Sequence, residues 1–207
     1  MFNTKEKKER ALGTKLFLKS SRCLSPKCVT VRRPTRPGAH GRDRQRPLSE
    51  FGQQLKEKQK FQWSYGLREA QMKKVFRQAL KNPAVTGNMI VSLLERRLDN
   101  VVYRLGLALS RSVARQLVGH GHITVNSRKV TVPSYLVRAG DVIAIREQSK
   151  NNPVFKDLNI SLKKYEPPIW LYIDKEKYEG KVVSPPKDFE VPFDVSMVVD
   201  YYSKVVK

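Results

Sequence analysis

The chain has 207 residues, 40% of them hydrophobic, enough to bury a core in one or two small domains. Its formal charge of +22 and pI near 10.2 draw polyanions by neutralising phosphates and releasing counterions, which makes nucleic acid the leading partner. The composition excludes a disulfide framework, because Cys23 and Cys28 are the only cysteines, and a membrane span, because no apolar run approaches about 20 residues.

Residues 1–47 form a basic arm. Lys and Arg outnumber Asp and Glu by 14 to 4 over residues 1–50 and by 18 to 6 over 51–150, then balance at 9 to 9, so the excess lies in the first 150 residues. The patch "LFL" is too short for the h-region of a signal peptide, which needs about 7 residues. Glu6 and Glu9 weigh against an organellar presequence, usually poor in acids. The densest piece, "RRPTRPGAHGRDRQRP", has almost no apolar residues to offset the cost of ordering, so alone it is expected to be extended or disordered.

Helical signals begin at Ser49, a cap for "EFGQQLKEKQKFQWSYG", where Phe51, Leu55 and Gln59 are spaced by four and Gly66 marks a stop. A second helix is predicted over 67–82, with Met72, Val75, Phe76, Ala79 and Leu80 on one face before Pro83. The third is expected to run from Asn88 to about Leu105, its stripe made by Leu93, Leu94, Leu98, Val101, Val102 and Leu105. Gly106 breaks it, and Ser110 caps a short helix ended by Gly119. Strand signals follow in "HITV", "KVTV" and "VIAIRE", with turns at Asn126-Ser127 and Gly140-Asp141, as for a small antiparallel sheet.

Arg97 and Arg104 are seven apart on the third helix, and Arg111 and Arg115 four apart on the next, so each pair shares a face. Two such helices side by side would make a basic plate. Singly, each arginine reads equally well as a solvated residue beside an apolar stripe; four on consecutive helices shift the balance toward a binding surface.

The stretch 93–145, with "RLDNVVYRLG", "ARQLVGHGHITVN" and "PSYLVRAGD", resembles the RNA-binding module of small-subunit ribosomal protein four. "RPGAHG", "LSEFGQQLKEKQK" and "VDYYSK" are similar to the same family, so the resemblance covers nearly the whole chain. It implies an α+β fold: an extended basic N-terminal arm (1–47), an all-helical domain (48–92) joined by the C-terminal segment (195–207), and an inserted RNA-binding domain of helices and a small antiparallel sheet (93–194, core 93–146). It further implies a non-enzymatic protein without cofactors that binds small-subunit ribosomal RNA at a junction in the 5′ domain and helps start assembly of the body. Contact with ribosomal protein five, a part in decoding accuracy, a place at the messenger entry channel and, in some members, repression of their own operon belong to the same implication. The expected location is the cytoplasm, within the ribosome, with an organellar ribosome left open.

By this resemblance the ribosomal RNA contacts are Arg97, Arg104, Arg111, Arg115, His120, Arg128 and Lys129, with Lys56, Lys58 and Lys60 on the first long helix. Gly119 and Gly121 let the loop approach phosphates, and His120 can donate to phosphate or stack on a base. His122 either joins it or caps the sheet. A metal reading of the pair lacks ligands before Asp141, and a catalytic reading lacks an oriented third group. Asn126-Ser127 stands where the family commonly has Asn-Gly, which weakens a primed turn. "CLSPKC" is similar to the last two ligands of the family's zinc-bearing branch, but Glu9 and Glu6 occupy the other two positions, so no metal is expected and the cysteines read as packing residues. Arg42, Arg44 and Arg46 fall in the interval that borders the messenger entry channel in related proteins, where an arginine fork grips phosphate and stacks on bases. An equally available reading is that they hold only ribosomal RNA. Two other classes, an RNA-modifying enzyme or an RNA chaperone carrying the module, are disfavoured by the short flanks and by the family-like residues outside it.

Overall fold

A computed structural model of the chain describes residues 4–44, 46–79, 86–155, 158–163, 165–186, 191 and 193–205. It divides into two compact units, one built from residues 1–87 with 190–207 and the other from 88–189.

In the first unit the basic arm carries α1 (Thr4–Leu12), α2 (Ser20–Cys23) and α3 (Val29–Arg32), and among its described residues from there to Leu48 the one further element is a 3-10 turn at Ala39–Arg42. Two adjacent side chains of α1 supply the partners that order it. The buried Glu9 carboxylate accepts the N–H groups of Leu16 and Leu18 at 3.0 and 3.2 Å. Arg10 donates to the carbonyls of Arg33, Thr35 and Arg36 at 3.1, 3.0 and 3.3 Å. Leu12, Leu16, Cys23 and Cys28 of the same arm are buried.

α4 (Glu50–Ser64) begins where Ser49 Oγ accepts the Gly52 N–H at 3.2 Å and ends at Gly66, whose φ is +63°. α5 (Glu69–Ala79) buries Met72, Phe76 and Ala79, with Val75 half-buried; Leu80 and Pro83 lie outside the described residues. α10 (Val195–Val205) packs on α4. Its Tyr202 ring stacks on Phe76 with centroids 4.0 Å apart, and Phe61 meets Phe193 edge-on at 4.7 Å. Asp194, just before α10, accepts from Ser196 N at 2.9 Å and Ser196 Oγ at 2.6 Å.

The second unit holds α6 (Thr86–Glu95) from Asn88 onward, α7 (Leu98–Arg104), α8 (Arg111–Gly119), α9 (Leu158–Lys163) and five strands: β1 (Ile123–Val125), β2 (Arg128–Lys129), β3 (Val142–Ile145), β4 (Leu171–Asp174) and β5 (Glu179–Val182). The strands form one antiparallel sheet in the order β2-β1-β3-β5-β4. Ile123, Val125, Ile143, Ile145, Ile173 and Val182 form part of a single core with Leu98, Val101 and Val102 of α7, Leu105 just after it, and Leu117 and Val118 of α8. At Gly180 the sheet approaches α7 so closely that a Cβ would lie 2.4 Å from Leu105 Cδ1.

Three sequence expectations change here. The predicted third helix is two helices, with residues 133–137 bonded to the backbone at the break. The Leu98 and Asp99 N–H groups donate to the Tyr135 and Pro133 carbonyls at 2.8 and 3.2 Å, and Arg97 bridges to Leu136. Of "KVTV" only Lys129 enters the sheet, joined with Arg128 in β2 rather than with the residues that follow it. β4 and β5 extend a sheet that was expected to end with β3. The primed turn does form: Asn126 and Ser127 have φ of +49° and +65° between the paired Val125 and Arg128. Asn126 compensates for the unfavourable Ser127, with its amide donating to Asp141 at 2.8 Å and its oxygen accepting the Val142 N–H at 2.9 Å.

Candidate nucleic-acid interface

The break between α6 and α7 brings two acids into the interior. Glu95 and Asp99 are 1% and 3% exposed, in a chain where acids are scarce. Burial of a carboxylate is costly unless it is paired, and four arginines pair them. Arg104 grips Glu95 through Nε and Nη2, both at 3.0 Å. Arg111 donates Nε to Asn100 Oδ1 at 2.7 Å, places Nη2 4.0 Å from Glu95 and lies over the Tyr103 ring at 4.7 Å. Arg115 puts Nε and Nη2 on Asp99 Oδ2 at 3.0 and 2.6 Å. Arg97, itself buried, donates to both oxygens of Asp99 at 3.1 and 2.9 Å.

Asn100 joins the two halves, donating its amide to Glu95 at 2.8 Å and its backbone N–H to Asp99 at 3.0 Å. The four arginines therefore belong to one network. The route differs from the predicted one: Arg97 is the residue before α7 rather than a face-mate of Arg104 on a continuous helix, and it lies inside. Arg104, Arg111 and Arg115 keep 26%, 21% and 35% of their side-chain surface exposed, and these three form the outward part. The Tyr165 hydroxyl donates to the Arg104 carbonyl at 2.9 Å, and burial pushes its pKa up, so it stays a neutral donor.

At the other end of α8 the glycines differ in role. Gly119 is still helical; Gly121 takes the left-handed conformation, φ +75°, while Gly121 N and His122 N donate to the Val118 and Leu117 carbonyls at 2.9 and 3.0 Å. A Cβ at Gly121 would sit 2.2 Å from Lys129 Cε, so Lys129 lies across this turn. His120, Arg128 and Lys129 are exposed beside it. His122 is half-buried, its Nδ1 3.0 Å from Ser149 Oγ and its ring edge-on to Phe155, which places it as a link between loop and sheet end.

In the first unit Lys58 turns inward. It is 8% exposed, 2.6 Å from Glu69 and over the Tyr201 ring at 5.3 Å, while the Tyr202 hydroxyl donates to the same Glu69 at 3.0 Å. Burial, then Glu69, raises the Tyr202 hydroxyl pKa. The ammonium of Lys58 is thus engaged inside the protein by Glu69 and the Tyr201 ring, not at the outward position expected for it. Lys60 pairs with Glu57, and Lys56 is half-buried. Arg42, Arg44 and Arg46 are exposed along the arm.

The cysteine corner does not suit zinc. Glu9 is engaged by two backbone N–H groups and lies 3.8 Å from Cys23 Sγ, while Glu6 faces Arg22 and Lys19 at 3.2 and 3.7 Å. Burial raises the Cys23 thiol pKa; the Thr30 hydroxyl, 3.0 Å from Cys28, lowers that of its neighbour. Among the described residues no group of three or more His, Cys, Asp or Glu side chains is placed to hold a metal ion, and no helix is long and apolar enough to cross a membrane.

Two family descriptions match: the ribosomal protein S4/S9 N-terminal domain over residues 2–95 and the S4 domain over residues 96–143. The small ribosomal subunit protein uS4 of Halothermothrix orenii is 50% identical over 197 residues, covering 94% of each chain. The chain belongs to the uS4 family. Protein uS4A of Alkaliphilus metalliredigens is 49% identical and uS4 of Thermus thermophilus 47%, each over the same share of both chains. Family membership makes this a structural protein of the small ribosomal subunit with an RNA-binding S4 domain, and not an enzyme.

Sequence reasoning singled out the arginines but missed the residues that gather them. Glu95, Asp99 and Asn100 fell inside "LLERRLDNVV", where acids interrupt an apolar stripe of a strongly basic chain; an acid in such a place has to find cations.

Proposed function

We propose that the chain is a primary binder of small-subunit ribosomal RNA that nucleates assembly of the subunit body in the cytoplasm. The observation that carries this reading is the convergence of Arg104, Arg111 and Arg115 on one carboxylate network, with His120, Arg128 and Lys129 beyond the end of the same helix α8. Affinity comes mainly from cations meeting phosphates, and selectivity from the shape of the RNA helices that fit the face. A junction in the 5′ domain is the proposed site, and Lys56 and Lys60 the proposed accessory contacts. Replacing Arg104, Arg111 and Arg115 by Ala should weaken binding to transcribed small-subunit ribosomal RNA and flatten log affinity against log salt, by about 0.7 to 0.9 for each phosphate no longer neutralised. An unchanged slope would reject the face.

The exposed Arg42, Arg44 and Arg46 support a second role, at the messenger entry channel, with ribosomal protein five as neighbour and an influence on decoding accuracy. Their joint replacement should leave ribosomal RNA binding largely intact and slow translation through structured messenger; equal speed on structured templates would end that assignment.

A further inference from the structure

We infer that Glu95 and Asp99 are positioning residues of the RNA face: buried acids whose removal weakens RNA binding although it makes the protein more positive. The inference rests on the reading of Arg104, Arg111 and Arg115 as RNA contacts.

Simple electrostatics predicts the opposite. Two carboxylates beneath a cationic patch lower its potential, and neutralising them raises the formal charge by two. The geometry opposes that expectation. Arg104 and Arg115 are each held through Nε and Nη2, so one edge of the planar fork is fixed against a carboxylate and the direction of the whole guanidinium is set. Arg111 is fixed by Asn100 Oδ1 on its Nε and by the Tyr103 face beneath it. Asn100 in turn is oriented by Glu95, to whose carboxylate and carbonyl its amide donates at 2.8 and 3.1 Å. Loss of Glu95 thus removes both of these carboxylate bonds from Arg104 directly and loosens the hold on Arg111 through Asn100.

Asp99 does the corresponding work for Arg115, and Arg97 supports it from within. Arg97 spends Nε and Nη2 on Asp99 while 8% exposed, so it stabilises the buried charge and does not itself form part of the outward surface. An unrestrained arginine loses side-chain freedom when it meets a phosphate; one held in advance loses less, and the difference appears as affinity.

The test uses the full-length chain and transcribed small-subunit ribosomal RNA, with binding measured across a salt series below each variant's melting midpoint. Glu95→Gln with Asp99→Asn should bind at least about tenfold more weakly than the parent and show a shallower salt slope. In nitrogen-15 spectra the Nε–H groups of Arg104 and Arg115, facing a neutral amide with one acceptor oxygen instead of a carboxylate with two, should exchange markedly faster while backbone amide signals persist, a change that a merely structural role would not produce selectively. Glu95→Gln alone is the milder variant if the pair does not fold; it should speed exchange of the Arg104 Nε–H, weaken binding and leave the Arg115 signal unchanged. Equal or tighter binding by the folded acid variants, while Arg104, Arg111 and Arg115 to Gln still weakens it, overturns the positioning role. Unweakened binding by that triple variant instead overturns the RNA face itself, so the two failures are distinguishable.

Discussion

Arg115 and Asp99, sixteen residues apart, meet across the α7–α8 pair with Nη2 2.6 Å from Oδ2. The contact is asymmetric in its surroundings: the aspartate is buried and shared with Arg97, while the arginine keeps about a third of its side chain in solvent (35%). Replacing Asp99 by Ala therefore leaves Arg97 charged and without its acid inside the protein, a loss of about 3–5 kcal/mol. Replacing Arg115 by Ala leaves Asp99 still paired with Arg97, and solvent screening holds the cost to about 1 kcal/mol or less. Chemical denaturation of the two variants should show this order, and an Arg115 variant as unstable as the Asp99 variant would remove Arg97 from the network.

The two glycines at the end of α8 separate conformation from space. Gly121→Ala forces an L residue to φ +75° and drives a Cβ into Lys129, so it should destabilise by at least about 1–2 kcal/mol and displace Lys129 from the loop. Gly119→Ala meets open space at a helical position and should be neutral or stabilising by up to about 1 kcal/mol. Denaturation midpoints give both signs in one experiment.

The local signals in the sequence located most of this architecture. Ser49 and Ser110 cap the helices predicted to follow them, since a hydroxyl before an amphipathic run has an N–H to accept. Leu98, Val101, Val102 and Leu105 are buried as their spacing required. What failed depends on long-range partners. The split of the third helix comes from carbonyls of residues 133 and 135, more than thirty positions on, and nothing within residues 88–105 announces them. β4 is four residues with the alternation Leu171 in, Tyr172 out, Ile173 in, too short to stand alone until β3 and β5 provide the sheet. Arg111 and Arg115 were legible as face-mates because helical spacing is local; their meeting with Arg104 and the carboxylate support were not, because Asp99 reaches Arg115 only through the packing of α7 on α8.

The arm tests whether one buried carboxylate can order a basic, proline-rich segment. Glu9→Ala removes the acceptor of the Leu16 N–H, which is buried, and of the Leu18 N–H, which is partly so; a buried donor left unsatisfied costs about 1–3 kcal/mol. Both bonds run to Oε1, so Glu9→Gln retains an acceptor in the same place. Hydrogen exchange at the Leu16 and Leu18 amides should accelerate strongly in Glu9→Ala and much less in Glu9→Gln. Equal acceleration in the two would mean that the negative charge, balanced by nearby cations, orders the segment rather than the hydrogen bonds.

Asp194 supplies a pH-dependent element to the other end of the first unit. It caps α10 by accepting from the Ser196 hydroxyl and from the Ser196 and Met197 N–H groups, and these bonds, the hydroxyl's first, hold its carboxyl below the usual aspartate value. A depressed folded-state pKa means that the cap's contribution is complete above the unfolded value, about pH 4, and is lost as pH falls through the lower folded value. Asp194→Ala should cost about 1 kcal/mol at neutral pH, and that difference from the parent should shrink as the solution is acidified. Asp194→Asn keeps a cap that does not titrate, so its stability should approach the parent's at neutral pH and change less on acidification. Because α10 carries Tyr202 onto Phe76 and Glu69, the far-ultraviolet signal and the near-ultraviolet signal of the stacked rings should report the loss together. A difference between Asp194→Ala and the parent that stays constant from pH 7 down to about pH 2 would show that the carboxylate is not the group that caps this helix.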